Sequence, residues 1–461
     1  MASNETRTET DSMGPVEVPA TALWGAQTQR AIDNFDIGAR PLPPAFIQAV
    51  CRIKAAAAEV NVDLGLLDAS RGKAIANAAE EVIAGQHADQ FPVDVYQTGS
   101  GTSTNMNVNE VLARLASSSC DLDISPNDHV NSGQSSNDVI PAAIHIASTL
   151  AVTERLMPAW ATLHEVLVER SEALRDVVKT GRTHLMDAMP LTLGQEISAW
   201  AAQAADLPDR LAGIQPRLGR LALGGTAVGT GINTHPEFGT RIAARLSSAS
   251  GASFRADENA FRAIASQDTA AELAAILRSG ALTLTKIAND LRWMNSGPLA
   301  GLGEIQLEPL QPGSSIMPGK VNPVLPEAVA MASARIIGLD ATVAAAAASG
   351  NFQLNVMLPV IADSLLEAIS LLASSARALA RSVAHFEIRE QRIAEPLARN
   401  PILVTALNGR LGYLRAAEIA KQAYRQERPI LDVALEMTDL TRAELETLLD
   451  PKALTKGGLP E

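Results

Sequence analysis

Apolar residues recur at helical spacing along most of the chain. In the stretch "AAELAAILRSGALTLTKIANDLRWM" they stand three, four or seven residues apart, at Leu273, Leu277, Leu284, Ile287 and Leu291. This spacing places them on one side of an α-helix. The same pattern predicts further long helices near residues 143–178, 193–217, 322–348 and 354–383, and shorter ones near 45–61, near 67–84 and after about residue 390. Strand signals are weak throughout, so the pattern predicts a mainly α-helical protein.

Some of these helices are apolar on more than one face, as in "IADSLLEAISLLASSARALA" and "VAAAAAS". A helix that is apolar all round must be buried. The chain has 461 residues, which is more than one compact core usually uses. Burial of such helices between subunits is therefore a natural expectation.

The charge balance and the cysteines exclude several classes of protein. The net charge of −13 argues against non-specific binding to nucleic acid or to an anionic membrane, although a pocket can still be locally positive. The two cysteines, Cys51 and Cys120, form no CxxC motif, so we expect neither a disulfide framework nor a zinc site. The polar N-terminus lacks an apolar signal core, and we expect no apolar run to approach the roughly 20 residues of a membrane span. These observations predict a reduced, cytoplasmic, soluble protein.

Four segments interrupt the helical pattern with residues that are polar but seldom charged. They are predicted to be loops and comprise residues 98–110, 127–138, 181–192 and 313–327. Their hydroxyls, amides and backbone N–H groups lie near predicted helix N-termini, where anions bind. Ser, Thr, Asn and Gly are also ordinary helix caps and turn residues, and for any one of the loops alone this is the better explanation. Four such loops together favour a binding site for an anionic ligand.

Two of these loops carry ionisable residues that suit catalysis. His184 stands in "RTHLMD", between hydroxyl, Arg and Asp side chains, and is a candidate acid or base. Lys320 stands in "GSSIMPGKVNP" without an acidic neighbour, so its charge is free for a ligand carboxylate. Gly313 and Gly319 permit backbone conformations that are closed to other residues. A mobile loop that brings a hydroxyl and a cation to a carboxylate is typical of a catalytic lid.

Several long motifs resemble those of the fumarase/aspartase superfamily. In chain order they are "TGSGTSTNMNVNE", "GQSSNDV", "GRTHLMDAMPLTLGQE", "GGTAVGTGINTHPEF", "GSSIMPGKVNP" and "NFQLNVMLPVIA". The likeness covers nearly the whole chain. Within the superfamily the sequence is similar to the class II fumarate hydratases, because Gly319 and His184 stand where aspartases usually carry Ala and Gln.

The resemblance implies a mainly α-helical subunit of three domains. Residues 1–138 would form an N-terminal domain with substrate loops, residues 139–390 a central domain of long helices, and residues 391–461 a small C-terminal helical domain. The central helices would assemble a homotetramer in which each active site draws on three subunits. The implied partners are fumarate and L-malate, with no metal, organic cofactor, nucleic acid or membrane.

The resemblance also implies a mechanism, the reversible hydration of fumarate to L-malate through a carbanion that spreads into a carboxylate. Ser314 would be the base, and His184 would act through a water as the second acid or base, held by Glu327. Lys320 and Asn322 would stabilise the extra charge. The other implied substrate-binding residues are Ser100, Gly101, Thr102, Ser135, Ser136, Asn137, Thr183, Ser315 and Val321.

One departure from the family concerns a secondary anion site. The family commonly writes "HPND" where this chain has Ser125, Pro126, Asn127 and Asp128, so occupancy of that site is in doubt. Two alternatives to a hydratase remain open at this point. One is an aspartate ammonia-lyase of the same superfamily, and the other is a non-catalytic helical scaffold that keeps only the fold.

Overall fold

The computed structural model describes residues 5–458 of the chain, and most of them are helical. The α-helices are α1 (Ala26–Asn34), α2 (Pro44–Asp63), α3 (Ala69–Ile83), α4 (Thr102–Ser118), α5 (Ser136–Ala151), α6 (Met157–Ala173), α7 (Leu193–Leu218), α8 (Phe238–Ser250), α9 (Ala260–Ala265), α10 (Asp268–Met294), α11 (Val324–Ala347), α12 (Leu358–His385), α13 (Glu390–Arg399), α14 (Asn408–Leu411), α15 (Tyr413–Gln426), α16 (Ile430–Met437), α17 (Arg442–Leu448) and α18 (Pro451–Leu454). Short 3₁₀ turns occupy Ala88–Gln90 and Pro401–Leu407, and π-helical turns occupy Pro126–Val130 and Val152–Leu156.

The strands are short and pair two by two. They are β1 (Thr6–Asp11), β2 (Gly14–Pro19), β3 (Val178–Thr183), β4 (Met186–Thr192), β5 (Arg220–Leu221), β6 (Arg255–Ala256), β7 (Ile305–Gln306) and β8 (Glu387–Ile388). The pairs β1–β2, β3–β4 and β7–β8 are antiparallel, and β5–β6 is parallel. The prediction of a mainly α-helical protein is confirmed.

The long predicted helices are also confirmed. Helix α10 carries the stripe that was read from the sequence, and the side chains of Leu273, Leu277, Leu284, Ile287 and Leu291 are fully buried. The pattern near 143–178 corresponds to α5 and α6, joined by a π-helical turn.

Two segments that were predicted as loops are largely helical instead. Helix α4 begins at Thr102, so only residues 98–101 of the first segment lie outside it. In the second segment, residues 127–130 form part of a π-helical turn and residues 136–138 begin α5, while 131–135 lie outside a helix. The prediction was wrong because Asn105 and Asn109 are buried rather than solvated, and their amide groups find hydrogen-bond partners inside the protein. Residues 181–192 also differ from the prediction, since they belong to the β3–β4 hairpin.

The chain divides into two compact units. The first comprises the described residues up to Pro158 together with Leu207–Ala281 and Ser333–Ala373. In this unit α2 packs against α3, α5 and α8 and buries Phe46 and Ile53. Apolar burial of this kind is the main source of its stability.

The second unit comprises Ala159–Asp206, Leu282–Ala332 and the described residues from Ser374 onward. It contains the β3–β4 hairpin and a C-terminal hydrophobic cluster. The fully buried members of that cluster include Leu407, Ile419, Val433, Ala434 and Leu445.

Within residues 5–458, three helical segments are long and apolar enough to cross a membrane by length and composition. The expectation that no apolar run approaches a membrane span was therefore wrong. The most apolar parts of Ser136–Ala173 and Leu358–His385 are 67% and 72% buried inside the protein, whereas that of Val324–Ala347 is only 33% buried. Helix α11 thus exposes apolar surface, including Met331 and Ile337.

Candidate active site

The first group of candidate residues lies at the N-termini of α4 and α5 in the first unit. Gly101 precedes α4 in the left-handed region, with φ of 72°, where a side chain is unfavourable. Ser100 Oγ and Thr102 Oγ1 share a hydrogen bond of 2.7 Å. The free N–H groups and the helix dipole at this end attract negative charge.

Helix α5 begins with a capping box. Ser135 Oγ accepts a hydrogen bond from Asn137 N at 3.2 Å, and Asp138 Oδ1 accepts one from Ser135 N at 2.9 Å. Asn137 Nδ2 donates to the carbonyl of Ala227 at 2.8 Å. On the neighbouring helix, Asn105 Nδ2 donates to Ser136 Oγ at 3.0 Å. The structure therefore brings together the two polar segments that the sequence placed 30 residues or so apart.

Two buried ionisable residues, Asp138 and Lys54, lie behind this cap. The Asp138 carboxylate is fully buried and accepts hydrogen bonds from Gly224 N at 3.1 Å and Thr226 N at 2.9 Å, besides the one from Ser135. Burial raises the pKa of Asp138 to about 6, although these N–H donors and Lys54 oppose the rise. Burial also lowers the pKa of Lys54 to about 7, against the attraction of Asp138.

The second group lies in the second unit, at the turn of the β3–β4 hairpin. His184 and Leu185 form the two-residue turn, with φ of 55° and 61°. Both are left-handed, as in a type I′ turn, where Asn and Gly are usual and a Leu is strained. Thr183 and His184 are exposed at the tip.

The base of this hairpin is held by buried charge. Glu304 is 3% exposed and binds Arg182 at 2.7 Å and Lys179 at 2.8 Å. Lys179 also binds Glu196 on α7 at 2.6 Å. Burial alone would raise the pKa of Glu304, but Arg182 and Lys179 hold it below its usual range. The charges thereby support the strained turn that presents His184.

We use the name serine loop for residues 313–323, which also belong to the second unit. Its two ends are tied together, because Gly313 N donates to the Lys320 carbonyl at 2.7 Å and Asn322 Nδ2 donates to the Gly313 carbonyl at 2.8 Å. A Cβ at residue 313 would lie 2.7 Å from the Lys320 carbonyl oxygen, so the closure requires glycine. Gly319 is left-handed, with φ of 82°.

The serine hydroxyl in this loop has a distinctive environment. Ser314 Oγ accepts hydrogen bonds from Ile316 N at 3.2 Å and Met317 N at 3.1 Å. Two backbone donors that converge on one hydroxyl oxygen stabilise negative charge there. Ser315, Lys320 and Val321 are exposed, and no ion pair involving Lys320 occurs within residues 5–458.

Glu327 lies in the first turn of α11 and is partly buried. Among the described residues, no hydrogen bond or ion pair joins Glu327 to His184. The expectation that this carboxylate holds the imidazole therefore remains a prediction.

The doubtful secondary site is a short π-helical turn, Pro126–Val130. Ser125 Oγ accepts a hydrogen bond from Asp128 N at 3.1 Å and donates one to Asp128 Oδ2 at 2.9 Å, while Asn127 is exposed. Sequence reasoning missed His129, whose Nδ1 accepts a hydrogen bond from Ser125 N at 2.8 Å. The available signal was a histidine four residues after the position where the family writes one.

No group of three or more His, Cys, Asp or Glu side chains suited to a metal ion occurs in the described part of the chain. The candidate site residues carry hydroxyls, amides, one exposed lysine, one exposed imidazole and the carboxylate of Glu327. Such groups bind carboxylates and transfer protons.

Comparison with known proteins agrees with this chemistry. A lyase family model matches residues 14–338, and a model of the fumarase C C-terminus matches residues 403–456. A fumarate hydratase class II 2 from Pseudomonas aeruginosa is 56% identical over 99% of this chain and 100% of its own length. A fumarate hydratase class II from Xylella fastidiosa is also 56% identical, over 99% of this chain and 97% of its own.

Solved structures give the same answer. The crystal structure of a class II fumarase from Schistosoma mansoni superposes with a TM-score of 0.95 at 35% identity, over 98% of this chain and 99% of that one. A fumarate lyase:delta crystallin from Brucella melitensis, bound to cobalt, superposes with a TM-score of 0.93 at 40% identity, over 98% and 100% of the two chains. Because the family model covers most of the chain and close relatives match it from end to end, this protein belongs to the class II fumarate hydratase family.

Proposed function

We propose that this protein is a class II fumarate hydratase that interconverts fumarate and L-malate by acid–base catalysis. The observation that carries the proposal is Ser314, whose hydroxyl oxygen accepts two backbone N–H groups in an otherwise exposed loop of a chain from this family. A serine hydroxyl is too weakly acidic to serve as a base unaided. The two N–H donors stabilise its alkoxide and so lower the free energy that is needed to deprotonate the hydroxyl.

In the dehydration direction, Ser314 removes the proton from C3 of malate. The carbanion spreads into the adjacent carboxylate, and the added charge is met by Lys320 and Asn322. His184 then protonates the departing hydroxyl through a water, and Glu327 orients the imidazole.

The two substrate carboxylates bind to hydroxyls, amides and backbone N–H groups. This binding set comprises Ser100, Gly101, Thr102, Ser135, Ser136, Asn137, Thr183, Ser315 and Val321. Its support is the position of the first six at two helix N-termini, where anions are favoured.

The proposal includes a homotetramer with a three-domain subunit divided near residues 138 and 390. Helix α11 supports it, since its most apolar part is only 33% buried in the single chain and exposes Met331 and Ile337. We also propose a cytoplasmic location. Light scattering of the purified protein tests the assembly, and a mass of one or two subunits would contradict it.

The function is tested with malate, fumarate and aspartate offered in parallel to the purified protein, with absorbance of fumarate as the signal. We expect malate and fumarate to interconvert, and EDTA to leave the rate unchanged. Ammonia release from aspartate at a rate comparable with malate dehydration would overturn the proposal in favour of an ammonia-lyase.

A further inference from the structure

A buried lysine lies behind the substrate-binding cap of α5. Lys54, on α2, is fully buried. Its Nζ donates hydrogen bonds to Asn131 Oδ1 at 2.9 Å and to Gln134 Oε1 at 3.0 Å. Fully buried lysines are rare and costly unless their donors are satisfied. Here both partners are neutral amides of one short segment, residues 131–138, which we call the capped segment.

The lysine dictates which way the Asn131 amide faces. A lysine ammonium in this position only donates, so it must face the amide oxygen rather than the amide nitrogen. Asn131 Nδ2 then points the other way and donates to the Gln134 carbonyl at 3.2 Å. The same Asn131 Oδ1 also accepts from Asn105 Nδ2 and Asn109 Nδ2, each at 3.2 Å.

The orientation of the Asn131 amide determines the donor and acceptor roles at the hydroxyl of Ser136. Because Asn131 presents its oxygen, Asn105 must present its amino group, and that group also donates to Ser136 Oγ at 3.0 Å. Ser136 Oγ is thereby the acceptor of this bond. Its own O–H hydrogen is left to donate elsewhere, toward a carboxylate at the N-terminus of α5.

We propose that Lys54 is a positioning residue that fixes which groups donate and which accept in a series of hydrogen bonds. Lys54 and Asn105 both donate to Asn131 Oδ1, and Asn105 also donates to Ser136 Oγ. The Ser136 hydroxyl is thereby kept as a donor to the substrate carboxylate. The inference rests on the proposed function, in which Ser136 binds that carboxylate. Lys54 itself touches no substrate.

The ammonium form of the lysine imposes this direction most strictly. Burial lowers the pKa of Lys54 to about 7, while Asp138 and Cys51 act to raise it. An ammonium has three hydrogens and no acceptor, whereas a neutral amine keeps enough hydrogens for Asn131 and Gln134 but also has a lone pair that can accept. The ammonium form therefore enforces the direction of the hydrogen bonds.

Asn105 and Asn109 offer a matched test. Both lie on α4, both are buried, both donate to the same oxygen at 3.2 Å, and Oδ1 of each lacks a hydrogen-bond partner among the described residues. Only Asn105 also donates to Ser136. Asn105→Asp and Asn109→Asp thus add the same acceptor in the same surroundings, but only the first turns the Ser136 hydroxyl away from the substrate.

We expect Asn105→Asp to raise KM for malate and for fumarate about tenfold more than Asn109→Asp does, since one charge-assisted hydrogen bond to substrate is lost. The two variants should unfold at similar temperatures and lose kcat to similar, smaller extents. Equal KM values in the two variants would overturn the inference.

Lys54→Met supplies the second measurement. It removes the anchor while preserving chain length, and we expect KM to rise several-fold with a smaller change in kcat. Ile53→Val, at the neighbouring buried position outside the chain of hydrogen bonds, should leave KM unchanged. An unchanged KM in Lys54→Met would contradict the positioning role.

Failure of the inference differs from failure of the proposed function. If the wild-type protein does not interconvert malate and fumarate, the proposed function fails and this inference with it. If the wild-type protein is active but the Asn105 and Asn109 variants behave alike, only the inference fails.

Discussion

The capped segment and the serine loop both carry hydroxyls that the proposed mechanism uses, but the protein holds them differently. In the capped segment, Ser136 and Asp138 are buried and linked by hydrogen bonds to two other parts of the first unit, helix α4 and residues 224–226. In the serine loop, the hydrogen bonds of Ser314 stay inside the loop, and most residues are exposed.

This difference separates two tasks. A group that binds a carboxylate in ground and transition state alike works best when it is rigid, because ordering it then costs nothing at binding. A base on a lid has to move for substrate to enter, so it belongs where local stability is low. Substitutions in the capped segment should therefore cost folding stability, and those in the serine loop should change turnover or KM with little loss of stability.

The largest expected effect is that of Ser314→Ala. Loss of the proposed base should lower kcat by about 10²–10⁴-fold. The free energy of unfolding should change by less than about 0.5 kcal/mol, because the hydroxyl bonds only to its own loop. Turnover and urea denaturation are measured together, with Ser315→Ala as the control that should mainly raise KM. Near-normal kcat in Ser314→Ala would show that another group is the base.

On the other side of the comparison, Asp138→Ala should cost roughly 3 kcal/mol or more in the free energy of unfolding. The change leaves the N–H groups of Ser135, Gly224 and Thr226, which are partly or fully buried, without their acceptor. Asp128→Ala is the control on an exposed turn and should cost about 1 kcal/mol or less. Similar losses in the two variants would remove the distinction between the capped segment and a surface turn.

Glu327 extends the comparison to the acid–base pair. Glu327→Gln should lower kcat about tenfold to a hundredfold if the carboxylate orients His184. The double variant with His184→Asn should be little worse than the worse single one, because the two residues would act as a unit. Measurement of kcat for the two single variants and the double variant tests whether the losses are additive. Fully additive losses would mean that the residues act independently.

The buried Lys54 behind the capped segment should make the free energy of unfolding depend on pH. The folded-state pKa of Lys54 is about 7, below the ordinary value of 10.5, so between these values the unfolded chain binds more protons than the folded one. The free energy of unfolding of the wild type should therefore rise with pH relative to Lys54→Met, by up to about 1.4 kcal/mol per pH unit. Urea denaturation of both proteins between about pH 7 and pH 10 measures the difference. Parallel curves would contradict a depressed pKa.

The smallest expected effect concerns the secondary site. Ser125→His should strengthen carboxylate binding there about tenfold below about pH 6.5, where a free imidazole is charged, with little change in turnover. Calorimetry with malate on the Ser314→Ala background measures the binding, and Ser125→Gln is the uncharged control. Equal binding by the two variants would show that charge does not decide occupancy.

The sequence predicted the parts of the fold that depend on local pattern. Apolar spacing located α10 and its buried stripe because a helix repeats every 3.6 residues whatever its surroundings. The polarity of Asn105 and Asn109 led to a wrong prediction of a loop, since a polar side chain can also be buried in a helix when it finds hydrogen-bond partners there. The turn at His184 was missed for a related reason, because neither His nor Leu signals a left-handed backbone.

By itself, then, the sequence determined the helical composition, the order of the motifs and the family, because these depend on residue types along the chain. Only the tertiary structure decided the direction of the buried hydrogen bonds. Lys54 and Asn131 are separated by 77 positions, and nothing in the apolar helix around Lys54 indicates a polar partner. Hydrogen bonding depends on the distance and angle between two groups, and folding alone brings these two together.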